Sequence, residues 1–305
     1  MTRGVLLIAG PTASGKSALA LALAERFDAE IVGADSRQIY RGMPIGTAAP
    51  SASELARVPH HLVGFLDPHE RYSAARFAHD ALAAIDAIHA RGKRAIVVGG
   101  TGFYLRALAG DVALSPVRDE ALRERLAREA RVHPVAALAG WLRALDPQLA
   151  ARVPPHDPYR VTRALEIALG SRDGHSMQTV DLTDASLRGR GIPYRKLALE
   201  IAPPVLEARI GARVDTMLAA GLLEEAERVG ADAVAADAVG YREALAFLAG
   251  WSTRSELRTH LIRATRRYAK RQATWLRSEP DLVRIPADDA LALASAEAAT
   301  LAGWN

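Results

Sequence analysis

"GPTASGKS" (residues 10–17) decides the fold. Gly10, Gly15, Lys16 and Ser17 complete the eight-residue phosphate-loop pattern, and they stand in the context that pattern requires. The run before it, "GVLLIA" (4–9), is short, continuous and apolar, like a strand buried on both faces. The run after it repeats apolar residues at Leu19, Leu23 and Phe27, a helical spacing. Glycine permits the tight turn, and successive backbone N–H groups at a helix N-terminus then make an anion nest. Lys16 adds a point charge and Ser17 a hydroxyl able to hold Mg2+. Gly10, Pro11, Thr12, Ala13, Ser14, Gly15, Lys16 and Ser17 are therefore the expected polyphosphate site. Such a loop is the mark of nucleotide- and ATP-binding proteins, yet it fixes only the anion and not what is attached to it.

Working outward, "EIVGADS" (30–36), "HLVGFLD" (61–67) and "RAIVVGGT" (94–101) read as further strands. "SAARFAHDALAAIDAIHARG" (73–92) has an N-cap Ser, helical periodicity and a terminal Gly. Strands separated by helices predict an α/β fold with a parallel, doubly wound sheet of the P-loop NTPase kind. From Ser115 to Ile192 the pattern changes to amphipathic helices with no strand between them, which predicts an all-helical insertion. "SRDGHS" (171–176) and "SLRGRGIP" (186–193) read as polar connections within it. The expected core is thus residues 1–114 with 193–305, and the insertion residues 115–192. "YRKLALEIA" (194–202) returns to strand character, residues 203–277 are helical, and "DLVRIPA" (281–287) suggests an edge strand.

The chain has 305 residues, half of them hydrophobic, enough for a substantial core. No apolar run approaches the ~20 residues of a membrane span. The six-residue apolar start is too short for a signal peptide's core, so the expected location is cytoplasmic. The chain has no Cys, which removes disulfides, thiolate metal sites and Cys nucleophiles. His60, His61 and His156 have no metal-site spacing. Lys stands only at positions 16, 93, 196 and 270 among 39 basic residues, the rest being Arg. In "HLIRATRRYAKRQATWLR", Arg263, Arg267, Lys270 and Arg271 recur at helical spacing with few acidic residues nearby, which predicts a basic stripe suited to phosphate backbones.

P-loop hydrolases place an Asp at the end of a later apolar strand. Here "AIVV" runs into Gly99, Gly100 and Thr101 instead. The nearest carboxylate is Asp35, at the end of the second strand and so on the ligand side of an open parallel sheet. Its two readings are a turn-forming Asp in "ADSRQ" and a base or Mg2+-water ligand. Thr101 likewise reads as a helix N-cap or as a hydroxyl for the reacting group.

Taken together, "GPTASGKS", "GADSRQIYRGMPIGTAAP", "VVGGTGFYLRAL", "DPYRVTRALE", "VGYREAL" and "KRQATWLR" resemble the tRNA dimethylallyltransferase family, in the family's order and over nearly the whole chain. Pro44 and Ala49 depart from it, standing where the family commonly has Asp and Lys. The resemblance implies transfer of a dimethylallyl group from dimethylallyl diphosphate to N6 of the adenosine beside the anticodon (position 37) of tRNAs reading codons that begin with U. The loop would then hold the leaving diphosphate with Mg2+, Asp35 would be the base, Thr101 would bond the amine, and Arg213 would be a further diphosphate contact. The implied tRNA contacts are Asp35, Ser36, Arg37, Gln38, Thr101, Arg123, Tyr159, Arg160, Val161, Thr162, Arg163, Val239, Gly240, Tyr241, Arg242, Lys270, Arg271, Gln272, Trp275 and Arg277, against the anticodon stem-loop. A monomer is expected. A prenyl transferase for free adenine nucleotides, a small-molecule P-loop kinase and an RNA-binding NTPase switch share parts of the pattern.

Overall fold

The structure, a computed structural model, describes residues 3–112, 120–170 and 186–304. It divides into two compact units, residues 1–112 with 183–305, and residues 113–182.

The first unit is built on a six-stranded sheet in the order β3-β2-β4-β1-β5-β6, from β1 (Val5–Ala9), β2 (Ala29–Gly33), β3 (His60–His61), β4 (Arg94–Gly99), β5 (Tyr194–Glu200) and β6 (Leu282–Pro286). Every pairing is parallel. The strand β1 alternates its side chains between two cores: Leu6 and Ile8 meet α1 (Lys16–Phe27), while Val5, Leu7 and Ala9 join the core beneath α4 (Ala74–Ala90) and α5 (Gly102–Ala109). Burial on both faces is what a continuous apolar run in a parallel sheet signals. As expected, Ser73 caps α4, its hydroxyl accepting the Arg76 N–H.

The segment 61–67 departs from its predicted strand. Leu62 and Gly64 both have φ of 59°, which ends the extended run after two residues. Phe65 and Leu66 instead bond Ile39, in the loop that follows β2. That loop carries two short helices, α2 (Pro44–Thr47) and α3 (Ala52–Arg57). Pro44 takes the first helical position of α2, where its missing N–H is harmless.

The second unit holds α6 (Glu120–Val132), α7 (Val135–Leu145), α8 (Pro147–Ala150) and α9 (Pro158–Gly170) around Leu126, Leu138, Leu142, Val161 and Leu165. Residues 171–176 lie outside the described residues. The expected end at Ile192 is too late, because Leu187 and Ile192 are buried in the sheet core and Leu187 N–H bonds Leu108 C=O.

After β5 come α10 (Pro203–Ala219), α11 (Leu222–Val229), a 3-10 turn (Val234–Asp237), α12 (Tyr241–Leu248) and α13 (Arg254–Arg277). They pack a third core with Ile39, Tyr40 and Met43. Within it, the fully buried Glu225 carboxylate accepts the N–H groups of Ile45 (3.0 Å) and Gly46 (2.7 Å) and the Tyr241 hydroxyl (2.5 Å). Glu225→Ala would orphan the Ile45 and Gly46 N–H groups and leave the Tyr241 hydroxyl only Met43 C=O (3.1 Å), and should lower unfolding free energy by roughly 3 kcal/mol or more in urea titrations. A loss under about 1 kcal/mol would remove this network from the account of the fold.

The C-terminal helix α14 (Ala290–Ala299) and Trp304 complete the face around α1. Trp304 Nε1–H bonds Gly4 C=O at 2.9 Å. "ALALASAEAA" is too uniform to show a helical period. Among the described residues no helix is long and apolar enough to cross a membrane.

Candidate active site

The loops that matter all leave carboxyl ends of strands, where an open parallel sheet binds its ligands. After β1, Ala13 (φ 65°) and Gly15 (φ 99°) curl residues 10–17 into the start of α1. Within this loop Ser14 N–H bonds Pro11 C=O at 3.2 Å, and Lys16 Nζ reaches the same carbonyl at 3.4 Å. The N–H groups of Ala13, Gly15, Lys16 and Ser17 have no partner among the described residues, and the buried Ser14 hydroxyl has none either. Open N–H groups at a helix start around a buried, unpartnered hydroxyl fit an anion. Burial lowers the Lys16 pKa to about 8; the Asp35 carboxylate counters this and the Arg213 guanidinium adds to it.

After β2, Asp35 Oδ1 accepts the N–H of Arg37 (2.9 Å) and of Gln38 (3.4 Å). Asp35 is thus a turn residue, and among the described residues that turn engages only this one of its two oxygens. Thr101, at the start of α5, makes no capping bond. Its Oγ1 accepts Ser36 N–H (3.0 Å) and donates to Ser36 Oγ (3.3 Å), tying the loop after β4 to the loop after β2. Gln38 Nε2 donates to Thr47 C=O (3.1 Å) and Ala48 C=O (2.9 Å).

The helix α10 brings two guanidinium groups to this ring of loops. Arg213 Nη2 lies 3.4 Å from Thr47 C=O, and its burial pushes its pKa down. Arg209 Nη1 donates to Ser14 C=O at 3.1 Å. The sequence placed Arg209 on the Arg213 face without giving it a role; the four-residue spacing was the signal.

Part of this ring, with Thr12 from the anion loop, lines a cavity of about 330 Å³. Thr12, Asp35, Ser36, Thr47 and Arg213 form a polar part, and Val214, Met217, Leu222 and Leu261 an apolar part. Tyr268, Arg271, Arg242 and Val239 also line it. Burial pushes the Tyr268 hydroxyl pKa up, and Asp35 adds to the effect. The Arg37–Asp237 ion pair (2.7 Å) joins two further lining residues. Asp35 also borders a pocket of about 20 Å³ with Lys16 and Ser17, room for one water. Sequence reasoning missed Tyr268 and Asp237 as site residues.

The expected RNA contacts divide. On α13, Arg263, Arg267, Lys270 and Arg271 are exposed, with no carboxylate in salt-bridge range among the described residues. Arg258 and Arg266 do have partners, Asp215 and Glu207, supplied by α10 rather than by their own helix. Arg277 is exposed and bonds Thr274. Arg242 is exposed, and Gly240 is buried at the start of α12 with φ of 102°. Three of the expected contacts have side chains buried in internal contacts: Val161 in the second unit's core, Tyr241 on Glu225, and Gln272 on the loops after β1 and β4. Trp275 is half-buried against Gly102 beneath Arg106. Within the second unit, Tyr159 and Arg160 are exposed on α9, whereas Arg123, Thr162 and Arg163 are half-buried. Among the described residues no cluster of three His, Asp or Glu could hold a metal.

The model of the IPP transferase family matches residues 38–279. The tRNA dimethylallyltransferase of Halorhodospira halophila is 45% identical over 300 residues, 95% of each chain. That of Anaeromyxobacter dehalogenans is 48% identical over 301 residues, 95% of this chain and 97% of its own. Among solved structures, the tRNA isopentenylpyrophosphate transferase of Bacillus halodurans superposes with a TM-score of 0.69 at 34% identity, covering 97% of this chain and 96% of that one. A eukaryotic dimethylallyltransferase captured acting on tRNA gives 0.76 at 26% identity, covering 97% and 78%.

Proposed function

The chain belongs to the IPP transferase family, and we propose that it transfers the dimethylallyl group of dimethylallyl diphosphate to N6 of adenosine 37 in tRNAs that read codons beginning with U. One observation carries this reading: an anion loop with unpartnered N–H groups and the Asp35 carboxylate meet beside a cavity with an apolar wall. A prenyl diphosphate needs the loop and the wall; an adenine amine needs the carboxylate.

The diphosphate takes the open N–H groups of residues 13–17, the Ser14 hydroxyl, Lys16 and Arg213. Charge develops on it as the C–O bond breaks, and donors fixed in advance stabilise that charge. The amine N6 is a poor nucleophile because its lone pair is delocalised into the ring. As its bond to carbon forms, its proton passes to Asp35 while the C–O electron pair leaves with the diphosphate. Thr101 stands one residue from the Gly99–Gly100 turn, beside Ser36, and orients the amine. Mg2+ would be held on the protein side by the Ser17 hydroxyl, exposed at the start of α1 beside Lys16. When bound, Mg2+ adds further positive charge against the leaving group.

Reaching N6 requires the base to leave its stack. The tRNA anticodon stem-loop contacts Ser36, Arg37, Gln38, Val239, Arg242, Lys270, Arg271, Trp275 and Arg277 on the first unit. On the second unit it contacts Arg123, Tyr159, Arg160, Thr162 and Arg163. The protein acts as a cytoplasmic monomer. Incubated with labelled dimethylallyl diphosphate, unmodified tRNA, AMP and ATP, it should label tRNA alone. Label on AMP, or phosphate transfer from ATP, would sink the proposal.

A further inference from the structure

The hydrogen-bond ladder between β1 and β4 ends at the pair Ala9–Gly99. Beyond it the chains part, one into the anion loop and the other into the turn that carries Thr101. Gln272 fills the gap. Its Oε1 accepts Thr12 N–H at 2.8 Å, and its Nε2 donates to Gly100 C=O at 3.0 Å. The side chain is only 7% exposed, a polar residue on the otherwise apolar face of α13. A Cβ on Gly100 would come within 2.1 Å of Nε2, so that position is shaped to the amide. A side-chain amide has the donor and acceptor of a peptide group. The bond to Thr12 also takes up a loop N–H outside the open set that faces an anion.

We propose that Gln272 is a positioning residue: its amide is a last rung between β1 and β4 and fixes the distance between the diphosphate loop and the Thr101 turn. The proposal rests on the functional reading above, since those two turns hold the leaving group and the nucleophile. The rung hangs from a helix whose outer side presents Lys270 and Arg271, the residues just before it. One helix therefore serves the RNA and the spacing of the reacting groups.

Two variants test this. Gln272→Leu keeps the bulk and loses both bonds; kcat should fall about 10²-fold, the penalty for misplaced reactants, while KM for tRNA stays within about twofold. Gln272→Glu can rebuild the rung only when protonated, with its O–H donating to Gly100 C=O and its other oxygen accepting Thr12 N–H. Its activity, divided by wild type at each pH, should fall by roughly tenfold between about pH 4.5 and about pH 9, as pH rises through the carboxyl's pKa, which burial lifts above its ordinary value of about 4.3. Its affinity for inorganic diphosphate without tRNA should follow the same ratio. A structural role alone would give a ratio that stays flat across this range, and that outcome overturns the proposal, as would wild-type kcat in Gln272→Leu. If the wild-type protein labels no tRNA, the functional reading fails instead, and the diphosphate titration still judges the rung.

Discussion

Asp35→Asn is expected to slow prenyl transfer by about 10²–10⁴-fold while tRNA affinity stays within about twofold. The substitution is chosen for what it preserves. Oδ1 of Asp35 organises the turn by accepting two backbone N–H groups, and the amide oxygen of Asn can accept the same pair. The Ser36–Thr101 bonds and the Arg37–Asp237 pair then stay in place. What is lost is the ability to take a proton from N6, together with the negative charge that helps keep Lys16 protonated. Asp35→Ala removes both functions, so it should be as slow as Asn and also less stable. If Asn retains more than about a tenth of wild-type kcat, the carboxylate is a turn residue and the base lies elsewhere. Filter binding and single-turnover transfer on the same preparations separate the cases.

The parts of the fold legible in the sequence were those whose signal is local. A phosphate loop between an apolar run and a helix specifies strand, turn and anion site within residues 4–27, and β1, α1 and the loop lie there. Segment 61–67 was illegible because two positive-φ residues turn an apolar run away from the sheet toward Ile39. Buried apolar residues serve either pairing equally well. Helix α14 was missed because an Ala-rich stretch carries no period.

At the site, motif position and side-chain direction diverged. Tyr241 and Gln272 stand in segments that read as RNA-contacting, yet helical geometry turns both inward, to Glu225 and to the rung between β1 and β4. A polar residue at a core-facing position, as Gln272 is between Ala269 and Leu276, is the one sequence sign that separates the two uses. Arg266 shows the converse: its partner Glu207 is distant in sequence, so a local scan for acidic residues overstates the free charge of α13.

Lys16 should set the pH dependence of prenyl diphosphate use. Its pKa is lowered from 10.5 to about 8, chiefly by burial, so the ligand-free site holds a cation below that pH and a neutral amine above it. Since the cation is the form that binds, kcat/KM for dimethylallyl diphosphate should fall as pH rises through about 8, approaching tenfold per unit, with Mg2+ saturating. Bound diphosphate restores the charge by attraction, so kcat at saturation should stay level to a higher pH. That split assigns the titration to the free protein. Lys16→Met removes the charge at every pH and should cost about 10²–10³-fold. Lys16→Arg keeps a charge that does not titrate; its fork fits a point-charge site poorly, so the overall level drops, but the fall near pH 8 should vanish. If the fall persists in Lys16→Arg, the titrating group is not Lys16, and the loop's charge is not what makes the leaving group bind.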